Sequence, residues 1–151
     1  MPRPWIREGL RAGTIAAAAT AGALVALGRA HGAALRPLNS VAHIVAGSRA
    51  YYMEGLNWLI TPLAIAVHLA SILAWGALFS LFARGVRRSR LYPAALAFAA
   101  LTWVIDYWVV PSRLRPGFES GLSGMEIAMV YLVLGVSLAW GLARERDSST
   151  H

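Results

Sequence analysis

Apolar residues gather into four long stretches, 12–28, 62–83, 93–110 and 124–141, with most polar side chains in the connections between them. Each stretch is near the roughly 17–25 residues that a helix needs to cross the hydrocarbon core of a bilayer. Two strongly polar side chains interrupt them at depth, His68 and Asp106. The pattern predicts an all-α membrane protein: an antiparallel four-transmembrane-helix bundle forming one integral domain over 1–151. In the first stretch small residues recur four apart, at Gly13, Ala17 and Ala21 and again at Ala18 and Gly22. That spacing lets helix backbones approach closely, so this helix is expected among the others.

The connection between the first two stretches is the longest, and its pattern predicts a short interfacial helix over 38–53. Asn39 would cap it, with Val41, Ile44, Val45, Ser48 and Tyr52 on one face and His43, Ala50 and Glu54 on the other. Tyr51, Tyr52 and Trp58 are residue types that settle at a membrane surface. Thr61-Pro62 reads as an N-cap followed by a first helical position. Pro111 closes the third span, and Ser123 and Glu126 have the spacing of a capping box at the start of the fourth. The polar tail 147–151 is expected to fray.

Composition narrows the classes. The chain has 151 residues, 58% hydrophobic and 14% charged, and four spans with their connections use nearly all of it. With no cysteine, disulfides, thiolate metal sites, iron–sulfur clusters and cysteine nucleophiles are excluded. The net charge of +7 is the balance of fourteen basic residues against seven acidic ones; all fourteen are Arg, a usage that points to a GC-rich bacterial source. These arginines flank the apolar stretches instead of forming a compact basic face, which argues against nucleic acid as a partner. Membrane lipids are the expected partners, with other membrane proteins or a second copy of the chain as further candidates.

Arginine distribution also predicts orientation. The end carrying both termini and the second connection holds Arg3, Arg7, Arg11, Arg84, Arg87, Arg88, Arg90, Arg144 and Arg146; the other holds Arg29, Arg36, Arg49, Arg113 and Arg115. Nine against five favours cytoplasmic termini in a bacterial inner membrane. A competing reading takes the basic start and apolar middle of 1–34 as a cleaved signal peptide, which would leave three spans. Arg84, Arg87, Arg88 and Arg90 are expected to contact anionic lipid.

His68 lies about 9 Å along its helix counted from Pro62 and about 15 Å counted from Trp58, and Asp106 about 8 Å from Pro111, so the two can meet at one depth. A carboxylate at the bilayer centre costs at least ~2.5 kcal/mol, so Asp106 should face the interior and find a companion, which imidazole can supply. Thr102 and Ser71 would extend this polar strip. Asp106 pairing with Arg113 or Arg115 is the competing arrangement. His43 and Glu119 would join the strip if the surface helix folds over the bundle mouth, offering N and O ligands to a metal. Haem between His43 and His68 is a further variant. No metal-ligand spacing supports either, so His43 is expected instead as an exposed interfacial residue, and no cofactor is expected. In the run from Pro111 to Glu119, two Arg and one Glu could hold an anionic head group or one another, the latter favoured. Glu126 is accounted for by the capping box.

Asn39-Ser40-Val41-Ala42-His43, and Asp106-Tyr107 followed by Pro111, Arg113, Leu114 and Pro116-Gly117-Phe118-Glu119, resemble small uncharacterised four-span inner-membrane proteins of proteobacteria. The resemblance covers about 37–122 and implies a location and a helix count, with no activity attached. No catalytic motif is present in the sequence. The leading expectation is a non-enzymatic accessory or assembly component. The alternatives are a small transport or proton-handling protein using His68 and Asp106, and a metal- or haem-binding membrane protein.

Overall fold

The computed structural model describes residues 3–148, so 149–151 of the expected polar tail lie outside the described residues. Six α-helices run in the order α1 (Pro4–Ala30), α2 (Arg36–Ser40), α3 (His43–Ala46), α4 (Ile60–Phe82), α5 (Leu91–Val104) and α6 (Gly124–Ser148), with no strand among the described residues. Short 3-10 turns fill the connections, and a π-helical turn, Ile105–Val109, continues α5. Helices α1, α4, α5 with its extensions, and α6 are each long and apolar enough to cross a membrane. This is a multi-pass membrane protein built as an all-α four-helix bundle.

α1 lies between α4 and α6, and α5 packs on the other side of α6. Neighbours run antiparallel: Gly9 meets Gly76 and Gly13 meets Leu73 along α1 and α4, and Ala12 meets Gly141 across to α6. The approaches are very close. A Cβ placed on Gly76 would lie 2.5 Å from the Gly9 carbonyl oxygen, and one on Gly141 would lie 2.8 Å from the Ala12 Cα. Without hydrophobic driving force between helices in lipid, such backbone proximity supplies the dispersion that holds them. Of the small residues singled out on α1, Gly13 and Ala17 are buried, while Ala18 and Gly22 face outward. The contact stripe instead runs Gly9, Ala12, Gly13, Ala16, Ala17, Thr20, Leu24 and Gly28. Aromatic contacts close α4 against α5, with Phe98 5.3 Å from Phe79 and 5.9 Å from Trp75 between ring centroids.

The end of the bundle bearing the termini is cross-linked by charge. Arg11 pairs with Glu145 at 2.8 Å, and Arg88 makes a two-pronged contact with Asp147. Arg146 donates to the carbonyls of Ala83 and Val86 at 2.7 and 3.1 Å, fastening α6 to the connection that follows α4. Of the four arginines expected on lipid, Arg88 is thus held by Asp147 and Arg84 lies 5.9 Å from the Trp5 ring, while Arg87 and Arg90 are exposed. Asp147 belongs to α6, which runs on to Ser148 instead of fraying.

The opposite end is capped by 31–59 and 110–123. Here the structure departs from the single interfacial helix expected over 38–53: α2, α3 and a 3-10 turn at Ser48–Tyr52 follow one another, broken at Gly47, whose φ of +74° an L side chain rarely adopts. Asn39 caps nothing. It is fully buried, donates to the carbonyls of Met53 and Gly55 at 2.9 Å each, and accepts from Thr61 at 2.9 Å. Asn57, not Thr61, caps α4, accepting from the amides of Leu59 and Ile60 at 3.0 and 2.9 Å. The capping box at Ser123 and Glu126 forms as its spacing requires, the Ser123 amide donating to Glu126 at 2.8 Å. Glu126 additionally binds His31 Nε2 at 2.6 Å, tying the end of α1 to the start of α6.

Candidate functional site

Beneath the capped end, α1, α4, α5 and α6 surround a cavity of about 100 Å³, roofed by Val41, by Ile44 of α3 and by apolar residues of 114–118. Its polar wall carries Thr20, His68, Ser71, Thr102, Asp106 and Tyr131. One water needs roughly 10–15 Å³ of such space, so the cavity takes several waters or a solute of a few heavy atoms.

His68 reaches α1. Its Nε2 lies 3.0 Å from Thr20 Oγ1 and 3.2 Å from the Ala17 carbonyl oxygen. A carbonyl only accepts, and the Thr20 hydroxyl hydrogen goes to the Ala16 carbonyl at 2.8 Å. Nε2 therefore carries the hydrogen, and in the neutral ring Nδ1 is the lone-pair nitrogen. That nitrogen has no protein partner among the described residues, and the ring lines the cavity.

Asp106 sits in the π-helical turn, closed by the Val110 amide donating to the Ile105 carbonyl at 2.8 Å. Such turns insert one extra residue into a helix and concentrate at functional positions. Its Oδ2 accepts from the Tyr131 hydroxyl at 2.6 Å, and its other oxygen has no donor among the described residues. His68 and Asp106 thus share a cavity without bonding each other; each is held by a different helix. Neither Arg113 nor Arg115 pairs with Asp106. Thr102 lines the same wall but turns its hydroxyl to the Phe98 carbonyl at 3.0 Å.

His43 and Glu119 do not join this cavity. The segment carrying His43 folds inward, so that the ring is buried instead of lying at an exposed surface. Its Nδ1 donates to the Ser40 carbonyl at 2.8 Å, and it stacks on Tyr51 at 4.6 Å. Gly117, at φ +83°, passes over this stack, where a Cβ would lie 2.8 Å from His43 Nδ1. Burial, and then the Glu119 carboxylate, push the Tyr51 phenol above its ordinary pKa. Glu119 itself lies on another flank, beside Tyr107 and Arg115. It forms no ion pair with Arg113 or Arg115, contrary to the internal pairing expected. No three His, Asp or Glu side chains converge on a metal-sized point among the described residues, and His43 and His68 face no common space for haem.

Two contributors escaped sequence reasoning, Thr20 and Tyr131. Thr20 sits in an Ala-rich span and Tyr131 in an apolar one; their signal is a hydroxyl at mid-span, which is weak because hydroxyls often satisfy their own helix. Comparison of the chain with protein families, curated proteins and solved structures gives no match.

Proposed function

We propose that this chain is a non-enzymatic inner-membrane protein of bacteria, with both termini cytoplasmic, that takes a small ammonium-type cation into the cavity between His68 and Asp106. The observation that carries this is the pair of unsatisfied acceptors on one cavity wall, a ring nitrogen of His68 and a carboxyl oxygen of Asp106. An ammonium group has only donors and a positive charge, which complements that pair. Magnitudes favour an occupant. Burying the carboxylate costs at least ~2.5 kcal/mol, whereas one interhelical hydrogen bond contributes about 0.6 kcal/mol, so Tyr131 alone leaves Asp106 short of compensation. Trp75 and Tyr131 also line the cavity, and aromatic rings attract cations that reach their faces.

Calorimetric titration of methylammonium chloride into the protein in lipid nanodiscs tests this. Saturable binding is expected, weakened about tenfold or more in Asp106→Asn and unchanged in Ser137→Ala. Absence of binding by the wild type, or equal binding by Asp106→Asn, rules the reading out. A second reading, an accessory or assembly component in which these residues only fasten helices, rests on the bonds from His68 to α1 and from Asp106 to α6. It expects the double variant His68→Leu/Asp106→Leu to stay folded with its biological effect intact.

A further inference from the structure

Where α5 ends, the flank of the bundle carries a second concavity of about 430 Å³, separate from the His68 cavity. Trp103, Tyr107, Trp108, Arg115 and Glu119 line it, with Leu122 and Ile127 among its apolar residues. The three aromatic rings stand at steep angles: Trp108 meets Trp103 at 5.9 Å and 68°, and Tyr107 at 6.4 Å and 64°. Aromatic faces arranged around one space attract ammonium groups through the ring quadrupole.

Two opposite charges border this space without neutralising each other. Among the described residues, no ion pair within 4 Å joins Arg115 to Glu119 or either of them to another side chain. The Arg115 Nε is buried with no hydrogen-bond partner, a donor left over in a half-buried side chain. Glu119 is exposed, and its carboxylate lies near the Tyr107 hydroxyl. A cation site and an anion site side by side fit a zwitterion better than a simple anion.

The position selects which zwitterion. α5 passes from its apolar span to the polar 112–120 connection here, the level at which a spanning helix meets lipid head groups. Leu101 and Val104, three residues apart on α5, are exposed, and Trp108 is exposed in the turn that follows, so apolar surface leads from the span to the aromatic rings. We infer that this pocket holds the head group of a zwitterionic phospholipid, its phosphodiester on Arg115, its ammonium among Trp103, Tyr107, Trp108 and Glu119, and an acyl chain along Leu101 and Val104.

Native mass spectrometry of the full chain in detergent, offered equal amounts of phosphatidylethanolamine and phosphatidylglycerol with the same acyl chains, provides the test. Retention of phosphatidylethanolamine about two- to fivefold above phosphatidylglycerol is expected. Glu119→Gln, an exposed change that leaves the core untouched, should erase that preference, and Arg115→Gln should lower retention of both lipids. Soluble glycerophosphoethanolamine, which has the head group without chains, should not displace the lipid. Equal or stronger retention of phosphatidylglycerol by the wild type would mean an anionic-lipid site, displacement by the soluble head group a site for a free solute, and an unchanged preference in Glu119→Gln a role for the arginine alone. Each of these results overturns the assignment. If Arg115→Gln fails to fold, as circular dichroism would report, Trp108→Ala removes one wall of the cage at an exposed position and should reduce the preference on its own.

Discussion

One phenolic hydroxyl, that of Tyr131, is the protein donor holding Asp106 at 2.6 Å, whereas His68 shares its Nε2 hydrogen between a hydroxyl and a carbonyl oxygen. The two residues therefore differ in how much a single deletion removes. Tyr131→Phe should destabilise the fold by about 0.6–1.7 kcal/mol, the upper part of the range for polar contacts between membrane helices. Thr20→Val should cost less than ~0.6 kcal/mol, because the Ala17 carbonyl still accepts from His68. Equilibrium unfolding in mixed micelles reads both, and a larger loss in Thr20→Val would contradict the shared hydrogen bond. Counting residues from Pro62 and Pro111 brings His68 and Asp106 near one level, where they line one cavity, because helical rise is regular along α4 and the π-helical turn alters it over only a few residues. Their partners were not legible: Thr20 and Tyr131 lie 48 and 25 residues away, and only the packing of four helices brings them near.

Among the elements, α1 and α4 approach most closely, and glycine makes that possible. Gly76→Ala should cost about 1–3 kcal/mol, because its new carbon meets backbone that cannot move aside. Gly22→Ala, with nothing within 4 Å of the added carbon, should be neutral or slightly stabilising. Comparing denaturation midpoints of the two variants in one detergent checks the pair, and similar losses would show that small size on α1 matters irrespective of face. The four spans were readable because an apolar run long enough to cross lipid seldom occurs in a helix that water surrounds. The connection 38–53 was harder, because several short helical pieces and one long helix leave similar spacing of apolar residues. Gly47, with its positive φ, and Asn39, which bonds three separate places, were the residues that decided it.

For the molecule as a whole, charge sets a polarity from end to end. Arginines at the end bearing the termini outnumber those at the capped end nine to five. At the capped end, Arg36 is moreover turned inward, onto the Tyr51 and Ser120 carbonyls at 3.1 Å each. A green fluorescent protein fused to the C-terminus should fluoresce in bacterial cells, and an alkaline phosphatase fused there should be inactive. The reverse pattern would invert the orientation and place the capped end in the cytoplasm. Length and composition made residence in lipid legible, but neither could reveal a cavity, because empty space depends on how side chains fail to meet.

Asp106 and Tyr107 are adjacent in the chain, yet one looks into the interior chamber and the other onto the flank. Any helix separates neighbours in this way; the π-helical turn at Ile105–Val109 sets how far round the next residue comes, bringing Trp108 to 5.9 Å from Trp103. Rewinding it to ordinary α geometry would drop one residue from the turn and rotate everything beyond it by about 100°. That twist accumulates toward Trp108 and Val109, so it would carry the Trp108 ring away from Trp103 and open the aromatic wall on the flank while Asp106, at the start of the turn, stays near its chamber.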